Sequence, residues 1–377
     1  MSKMAGKQKK NKPLRYYDYS LLFLIIFLLC FGLVMLYSTS SYYGFTRFDD
    51  SAYYVKKQLF ATSLGIVVMF FVSIVPYQWW MKFASLGYIV AFGLCVAVIF
   101  IGREAKGQSR WLQIGPLSFQ PSEFAKVAII LFLATIIYKA PKGLSTLKNI
   151  LKIGGLSIPM ILPILYNNLS TAIIIAGIVV CMLFVASPKS RYFILLGVLG
   201  VIAVALVIMF AMSGGEGGYR LERVQIWLNP EAHEKGYQTL QGLYAIGSGG
   251  LFGKGLGESM QKLGFIPEAQ NDMIFSVICE ELGLFGAVCV IILFVLVIWR
   301  LMIIANNAQD LFGSMLVVGV MSHLSIQVIL NIAVVTNTIP NTGISLPFIS
   351  YGGTSILFLL AEMGLALSVA RGIKLES

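Results

Sequence analysis

Residues 272–300, DMIFSVICEELGLFGAVCVIILFVLVIWR, open on an acid, carry two more at Glu280 and Glu281, and then run apolar from Leu282 to Trp299. A run of about 20 mainly apolar residues is long enough to cross a bilayer. A carboxylate facing lipid costs roughly 3 kcal/mol or more, so acids at the mouth of such a segment face protein, water or a substrate. The fold question is therefore how many such runs the chain holds, and the functional question is which side of the membrane this mouth occupies.

Hydrophobic residues make up 58% of the 377 and charged residues only 12%, a balance that describes a polytopic membrane protein and excludes a soluble globular one. Ten runs meet the length criterion: 17–37, 58–77, 83–102, 122–139, 150–166, 169–186, 191–212, 272–300, 311–336 and 346–371. The expected fold is all-α, with about ten transmembrane helices and one long extracytoplasmic loop, 213–271, between the seventh and eighth. Pro159 and Pro163 interrupt the fifth run and predict a kink there. Lys and Arg crowd the loops that share a side with the N-terminus, so both termini are expected in the cytoplasm. The domain plan is a basic cytoplasmic tail over 1–16, a single transmembrane domain over 17–372 and a short tail over 373–377. No small-residue cleavage site follows the first run, so it reads as a retained anchor.

The net charge of +11 is scattered through loops with no interleaved aromatic face, which argues against nucleic acid as a partner. The five cysteines all lie in apolar runs and show no metal-ligand spacing. No repeat at a fixed period is visible, which weighs against transporter folds built from two related halves.

On this topology three polar clusters gather on the outer side. The long loop opens with SGGEGG and places Leu221, Val224, Trp227 and Leu228 at helical spacing, predicting an amphipathic helix at the interface. Glycines from Gly247 to Gly257 then read either as a mobile loop or as turns close to a ligand or the membrane surface. With a helix starting near Asp272, Glu280 lies about 12 Å further along and Glu281 close to the opposite face; Asp272 itself reads as a helix cap or a base. Residues 102–126 bring Arg110, Trp111, Gln120, Ser122, Glu123 and Lys126 to the start of the fourth span, with Pro121 a helix start and Glu123 and Lys126 spaced to pair. Residues 327–355 form a polar seam that includes Asn331, Ser350 and Tyr351, broken by Pro340, Pro347, Gly352 and Gly353. His233 and His323 stand alone and read as structural.

Four stretches, 110–126 (RWLQIGPLSFQPSEFAK), 245–257 (AIGSGGLFGKGLG), 263–283 (LGFIPEAQNDMIFSVICEELG) and 345–355 (SLPFISYGGTS), resemble in order the signatures of the SEDS family, which comprises FtsW, RodA and SpoVE. The resemblance, closest to the division type in the last motif, implies a peptidoglycan glycosyltransferase that polymerises lipid II into glycan strands at the outer face of the bacterial cytoplasmic membrane, including the septum. It implies a class B penicillin-binding protein and other division or elongation membrane proteins as partners. The family's essential acid matches Asp272, and Arg110, Glu123 and Lys126 match further polar motif positions. The candidate site is therefore Asp272 as catalytic base, with Arg110, Gln120, Ser122, Glu123, Lys126, Thr171, Arg220, Arg223, Gln238 and Ser350 toward substrate. Glu280, Glu281, Asn331, Pro347, Gly352 and Gly353 are its supports. Two departures stand out: Asn167-Asn168 replace the family's usual Pro-Asp, and Ser109 replaces the first Arg of Arg-Arg-Trp.

The chemistry matches these residue types. Extending a chain needs one carboxylate to take a proton from a sugar hydroxyl, and positive charge rather than an acid to meet a departing diphosphate. That asymmetry separates the reaction from glycoside hydrolysis, which uses a matched acid and base. A divalent cation, Mg²⁺ or Mn²⁺, is a candidate assistant. The competing readings are a lipid II flippase, using Glu280, Glu281 and Lys126 as an ion relay, and a non-catalytic divisome scaffold.

Overall fold

The computed structural model describes residues 17–105, 108–114, 117–140, 144–212 and 219–373. The basic tail 1–16, the SGGEGG hinge 213–218 and residues 374–377 lie outside it. In lipid each backbone N–H and C=O must be bonded within its own segment, which turns the apolar runs into helices. Among the described residues eight helices are long and apolar enough to cross a membrane: α1 (Tyr19–Phe48), α2 (Tyr53–Ile74), α4 (Ala84–Ile101), α5 (Pro121–Lys139), α8 (Leu169–Ala186), α12 (Ile274–Asn306), α13 (Leu311–Val335) and α14 (Gly353–Ala370). The fifth run becomes two helices, α6 (Leu147–Gly155) and α7 (Ile158–Asn167), bent by 51°. The break falls just before Pro159, whose missing N–H and restricted predecessor interrupt the ladder. With α9 (Arg191–Met212), 22 residues long, the expected count of about ten spans holds.

The remaining elements are α3 (Tyr77–Met81), α10 (Tyr219–Leu228), α11 (Tyr237–Ser248) and a small antiparallel sheet, β1 (Arg103–Ala105), β2 (Gln108–Ile114) and β3 (Leu117–Phe119), in the order β1-β2-β3. The sheet adds a small β element to a fold expected to be all helix. Its central strand carries Arg110, and the sheet delivers the chain into α5 at Pro121. The core is centred on α5, α13 and α14, where Ile130, Leu316, Val320, Leu324, Leu360 and Met363 are fully buried. Asp18 pairs with Arg300 at 2.7 Å and Arg371 donates to the Ser73 carbonyl, so both described ends of the chain share one face of the bundle.

The segment between α11 and α12 differs from the mobile outer loop that its glycines suggest. α11 packs along α12, the chain turns through 249–257, and it returns through 258–273. α12 is broken at Gly283 (φ 68°, ψ −169°), and the turn is stitched onto the break. Lys254 and Gly255 N–H groups donate to the Glu280 and Glu281 carbonyls, while Leu284 and Phe285 N–H groups donate to Gly250 and Leu251. Backbone that leaves the helix at membrane depth is thereby satisfied. Gly253 (φ 79°) allows the approach: a Cβ there would sit 2.1 Å from the Glu281 carbonyl oxygen. The close contact at Gly253 is with the backbone of α12.

The same hairpin answers the question raised by the paired acids. Glu280 and Glu281 are fully buried and face protein, not the mouth of a groove. Glu280 accepts from Lys254 Nζ at 2.7 Å, from the Ser259 hydroxyl and from the Met260 N–H. Glu281 accepts from Lys262 Nζ at 2.7 Å and from the Ser38 hydroxyl at 2.6 Å. Ser38 lies where α1 continues past the expected end of its run at 37, its polar residues buried against the hairpin. Removing one partner of a buried pair leaves an uncompensated charge. Glu281→Ala is therefore expected to destabilise the protein by about 3–5 kcal/mol, and a Glu281→Leu/Lys262→Met double variant to recover most of that. Unfolding in detergent checks both, and an unchanged midpoint for Glu281→Ala would contradict this assignment.

Candidate active site

A cavity of about 1470 Å³ opens at the end of the bundle where α5, α8, α12 and α14 begin and α13 ends. It gathers Asp272, Arg110, Gln120, Glu123, Lys126, Thr171, Arg223, Gln238, Gly352 and Gly353. Ser122 does not line it; its hydroxyl accepts from the Gln120 side chain at 3.2 Å. Ser350 does not line it either: its hydroxyl accepts from the Leu346 N–H and closes the 346–350 turn, so its role is to shape the backbone. Arg220 belongs to α10, but its side chain lies outside the described part. Pro347 is buried within the same turn.

Asp272 sits one residue before Met273, the N-cap of α12, which makes no side-chain cap bond. The helix starts at Ile274, two residues later than expected, and the acid occupies the loop instead of the cap. Two non-helical stretches meet there. Asn331, fully buried, donates through Nδ2 to the carbonyls of Asp272 (2.8 Å) and Ile344 (2.7 Å), tying the hairpin to the 337–352 segment. Tyr351 N–H donates to the Gln270 carbonyl at 2.9 Å, and Gly352 N–H donates to Gln58 on α2 at 3.0 Å. Gly343 (φ 69°) faces the carboxylate: a Cβ there would lie 3.8 Å from Asp272 Oδ2.

The floor is a buried ion pair, Lys126 Nζ to Glu123 Oε1 at 2.9 Å, on the first turns of α5. The Pro121 start fixes that turn and the three-residue spacing brings the two groups together. The roof is α10, docked by Arg223 to the Asn341 carbonyl (3.1 Å) and by Trp227 Nε1 to the Asn337 carbonyl (2.8 Å). Of the four positions spaced along it, Trp227 docks, Leu228 is exposed, and the Leu221 side chain lies outside the described part. On the side wall Arg110 Nε donates to the Asn167 carbonyl at 3.1 Å. Asn168, standing where the family usually has an acid, caps α8 by accepting from the Thr171 N–H at 3.2 Å. A hydrogen-bonding role thus survives the loss of charge.

Sequence reasoning passed over Lys56, Lys57 and Lys235 and gave Tyr351 only as part of the polar seam; all four line the cavity. The signal for the first two was a lysine pair opening an apolar run on the side where lysines are sparse. Burial pushes the Tyr351 phenol above its ordinary range while the Lys57 ammonium pulls the other way, so it presents a neutral O–H at pH 7. Phe60 and Leu64 line the cavity and are also exposed on the flank of α2, so the cavity reaches the lipid-facing surface. Among the described residues no group of three or more His, Cys, Asp or Glu could hold a metal ion. Arg110, Lys126, Arg223, Lys56, Lys57 and Lys235 bring positive charge to the cavity wall.

A multi-pass bundle with a polar, cation-rich cavity at one end that also reaches lipid is the frame of a membrane enzyme or carrier of amphipathic anions. The chain matches the model of the Cell cycle protein family of FtsW, RodA and SpoVE over residues 19–374, and it belongs to that family. It is 37% identical over 369 residues to Stage V sporulation protein E of Bacillus subtilis, covering 96% of this chain and 98% of that one. It is 38% identical over 377 residues to a probable peptidoglycan glycosyltransferase FtsW of Trichlorobacter lovleyi, covering 97% and 96%. Sporulation and division relatives therefore match about equally. Among solved structures it resembles a chain of a peptidoglycan synthase complex that coordinates polymerization and crosslinking (TM-score 0.79, 28% identity, 94% and 98% covered). It also resembles the rod shape determining protein RodA of Thermus thermophilus (TM-score 0.70, 27% identity, 96% and 98% covered).

Asn331→Leu removes the Nδ2 donor shared by the Asp272 and Ile344 carbonyls, so each acceptor loses that hydrogen bond. The expected cost is about 1–3 kcal/mol per orphaned group, with faster hydrogen exchange in residues 266–273 than in α13. Equal protection in both proteins would show that Asn331 does not hold the loop.

Proposed function

We propose that this protein is a peptidoglycan glycosyltransferase that polymerises lipid II, with Asp272 as general base, at the outer face of the cytoplasmic membrane. The observation that carries the reading is the meeting of the loop-borne Asp272 carboxylate with the buried Lys126 and with Arg110 and Arg223 in a cavity that reaches the lipid flank. The relatives' names supply the reaction class, and the lysine- and arginine-rich loops on the face opposite the cavity support an outward-facing site with both termini in the cytoplasm.

Asp272 takes the proton from the attacking sugar hydroxyl while the bond from the anomeric carbon to the diphosphate breaks; the departing oxygen keeps the electron pair. The diphosphate leaves as an anion, so Lys126, Arg110 and Arg223 meet it with charge instead of donating a proton. Attack opposite the leaving group inverts the anomeric carbon. The prenyl tail remains in lipid beside Phe60 and Leu64, which lets a long-chain substrate react without leaving the bilayer. A class B penicillin-binding protein is the proposed partner, supported by the likeness to a synthase complex, and a septal site follows if the chain serves division. A flippase needs groups lining both halves of the membrane, whereas the cavity is lined from one end. The proposed relay acids Glu280 and Glu281 are instead committed to Lys254 and Lys262.

Purified protein with its penicillin-binding partner and lipid II is expected to make glycan polymer. Both Asp272→Ala and Asp272→Asn are expected to slow it by about 10²-fold or more, since Asn keeps the shape but takes no proton. Near-normal polymerisation by Asp272→Asn would rule out the base assignment.

A further inference from the structure

Below the cavity floor a line of buried side chains runs from α5 through α13 to α14, and the reaction just described uses only its upper end. Lys126 Nζ, already paired to Glu123, donates to Gln327 Oε1 at 3.4 Å. Gln327 Nε2 donates to the Ser345 carbonyl at 3.0 Å. His323 Nε2 lies 2.8 Å from the same Gln327 Oε1, and His323 Nδ1 lies 2.6 Å from Glu362 Oε2. Lys126, His323, Gln327 and Glu362 are all at most 4% exposed. Glu362 lies about 14 Å along α14 from its start at Gly353, well inside the span.

The donors and acceptors fix the protons along this line. Lys126 is donor only and the Ser345 carbonyl acceptor only, so the Gln327 amide can face them in one orientation: oxygen to the lysine, nitrogen to the carbonyl. The oxygen is then an acceptor for His323 as well, and Nε2 must carry a hydrogen. The 2.6 Å contact between Nδ1 and Glu362 holds one further proton shared by that pair. Glu362 thus sets which imidazole nitrogen faces the glutamine, as a carboxylate does for a histidine in other polar arrays. An ionisable pair in the interior of a membrane bundle is costly, and packing two helices does not require one, because apolar replacements of buried pairs are often neutral or stabilising.

We infer that His323 and Glu362 are positioning residues for Lys126: through Gln327 they hold the ammonium on the cavity floor and lock the Ser345 end of the 345–355 segment. This rests on the glycosyltransferase reading for its consequence, though not for its geometry. The carboxylate orients the imidazole, the imidazole N–H holds the amide, and the amide oxygen gives Lys126 a second partner besides Glu123. The ammonium is then kept in place when an incoming diphosphate competes with Glu123 for it.

Two measurements test this. The chain has only two histidines, so ¹⁵N-histidine labelling of the full-length His233→Gln protein in nanodiscs reports His323 alone. The expected spectrum has hydrogen on Nε2, and both Gln327→Leu and Lys126→Met shift that signal. Hydrogen on Nδ1 with a bare Nε2, or no response to Lys126→Met, would overturn the inference whether or not the protein polymerises lipid II. In the polymerisation assay, Glu362→Leu should slow lipid II turnover by about ten- to a hundredfold, the scale of a misplaced catalytic group. Glu362→Gln should recover most of that, because its amide N–H still donates to Nδ1. Equal damage in Glu362→Gln and Glu362→Leu, with the wild type active, would overturn the positioning role while leaving the reaction standing. A wild type that makes no polymer under any condition would overturn the reaction, and the imidazole spectrum would then decide the geometry by itself.

Discussion

Backbone that departs from helix inside a membrane bundle has to find its hydrogen bonds within the protein. In this chain that constraint is met twice, once where the hairpin before α12 reaches the break at Gly283 and once in the non-helical segment between α13 and α14. Asp272 is held where the two stretches meet. The polar residues that satisfy them, Glu280, Glu281, Asn331, Ser350 and Gln58, are spread over almost 300 residues of sequence, yet each fastens a turn that shapes one cavity. Position at the site is thus a consequence of backbone bookkeeping. The carboxylate is placed by what its own carbonyl and its neighbours' N–H groups must bond to.

The same rule governs the charges. In the bundle the acids at 123, 280, 281 and 362 each face a basic side chain, and the buried bases answer them. Such pairs add little net stability over apolar packing, but losing one member is expensive. They consequently act as fixed clips instead of glue. Two of them fasten the hairpin. The other two lie at the cavity and beneath it, connected through Gln327, and give the cavity a rigid cationic floor.

Much of the fold could be read from composition alone, because a run of about 20 apolar residues has few alternatives to a span; the ten runs and the proline break in the fifth are examples. The amphipathic pattern of α10 and the Pro121 start of α5 were legible for similarly local reasons. What was not legible depends on contacts between distant residues. Glycines 247–257 look like a mobile loop until the backbone they touch, some 30 residues later, is known. Glu280 and Glu281 read as supports of the site, but their partners Lys254 and Lys262 become known only when the hairpin folds back over them. His323 and Glu362 each look like a stray polar group in an apolar run, since their partnership crosses from α13 to α14. Ser122 and Ser350 lie in the right motifs yet turn away from the cavity, because a motif records which residues stay together but not which way each side chain points.

Family membership supports a glycosyltransferase, and the proposed mechanism depends on Asp272 standing at a rim that opens away from the cytoplasm. Site-directed labelling addresses that directly: a single cysteine at position 272, in a chain whose five native cysteines have been replaced, is exposed to a membrane-impermeant maleimide in spheroplasts and in inside-out vesicles. Labelling in spheroplasts and protection in inside-out vesicles is the predicted result. Labelling only in inside-out vesicles would contradict the account.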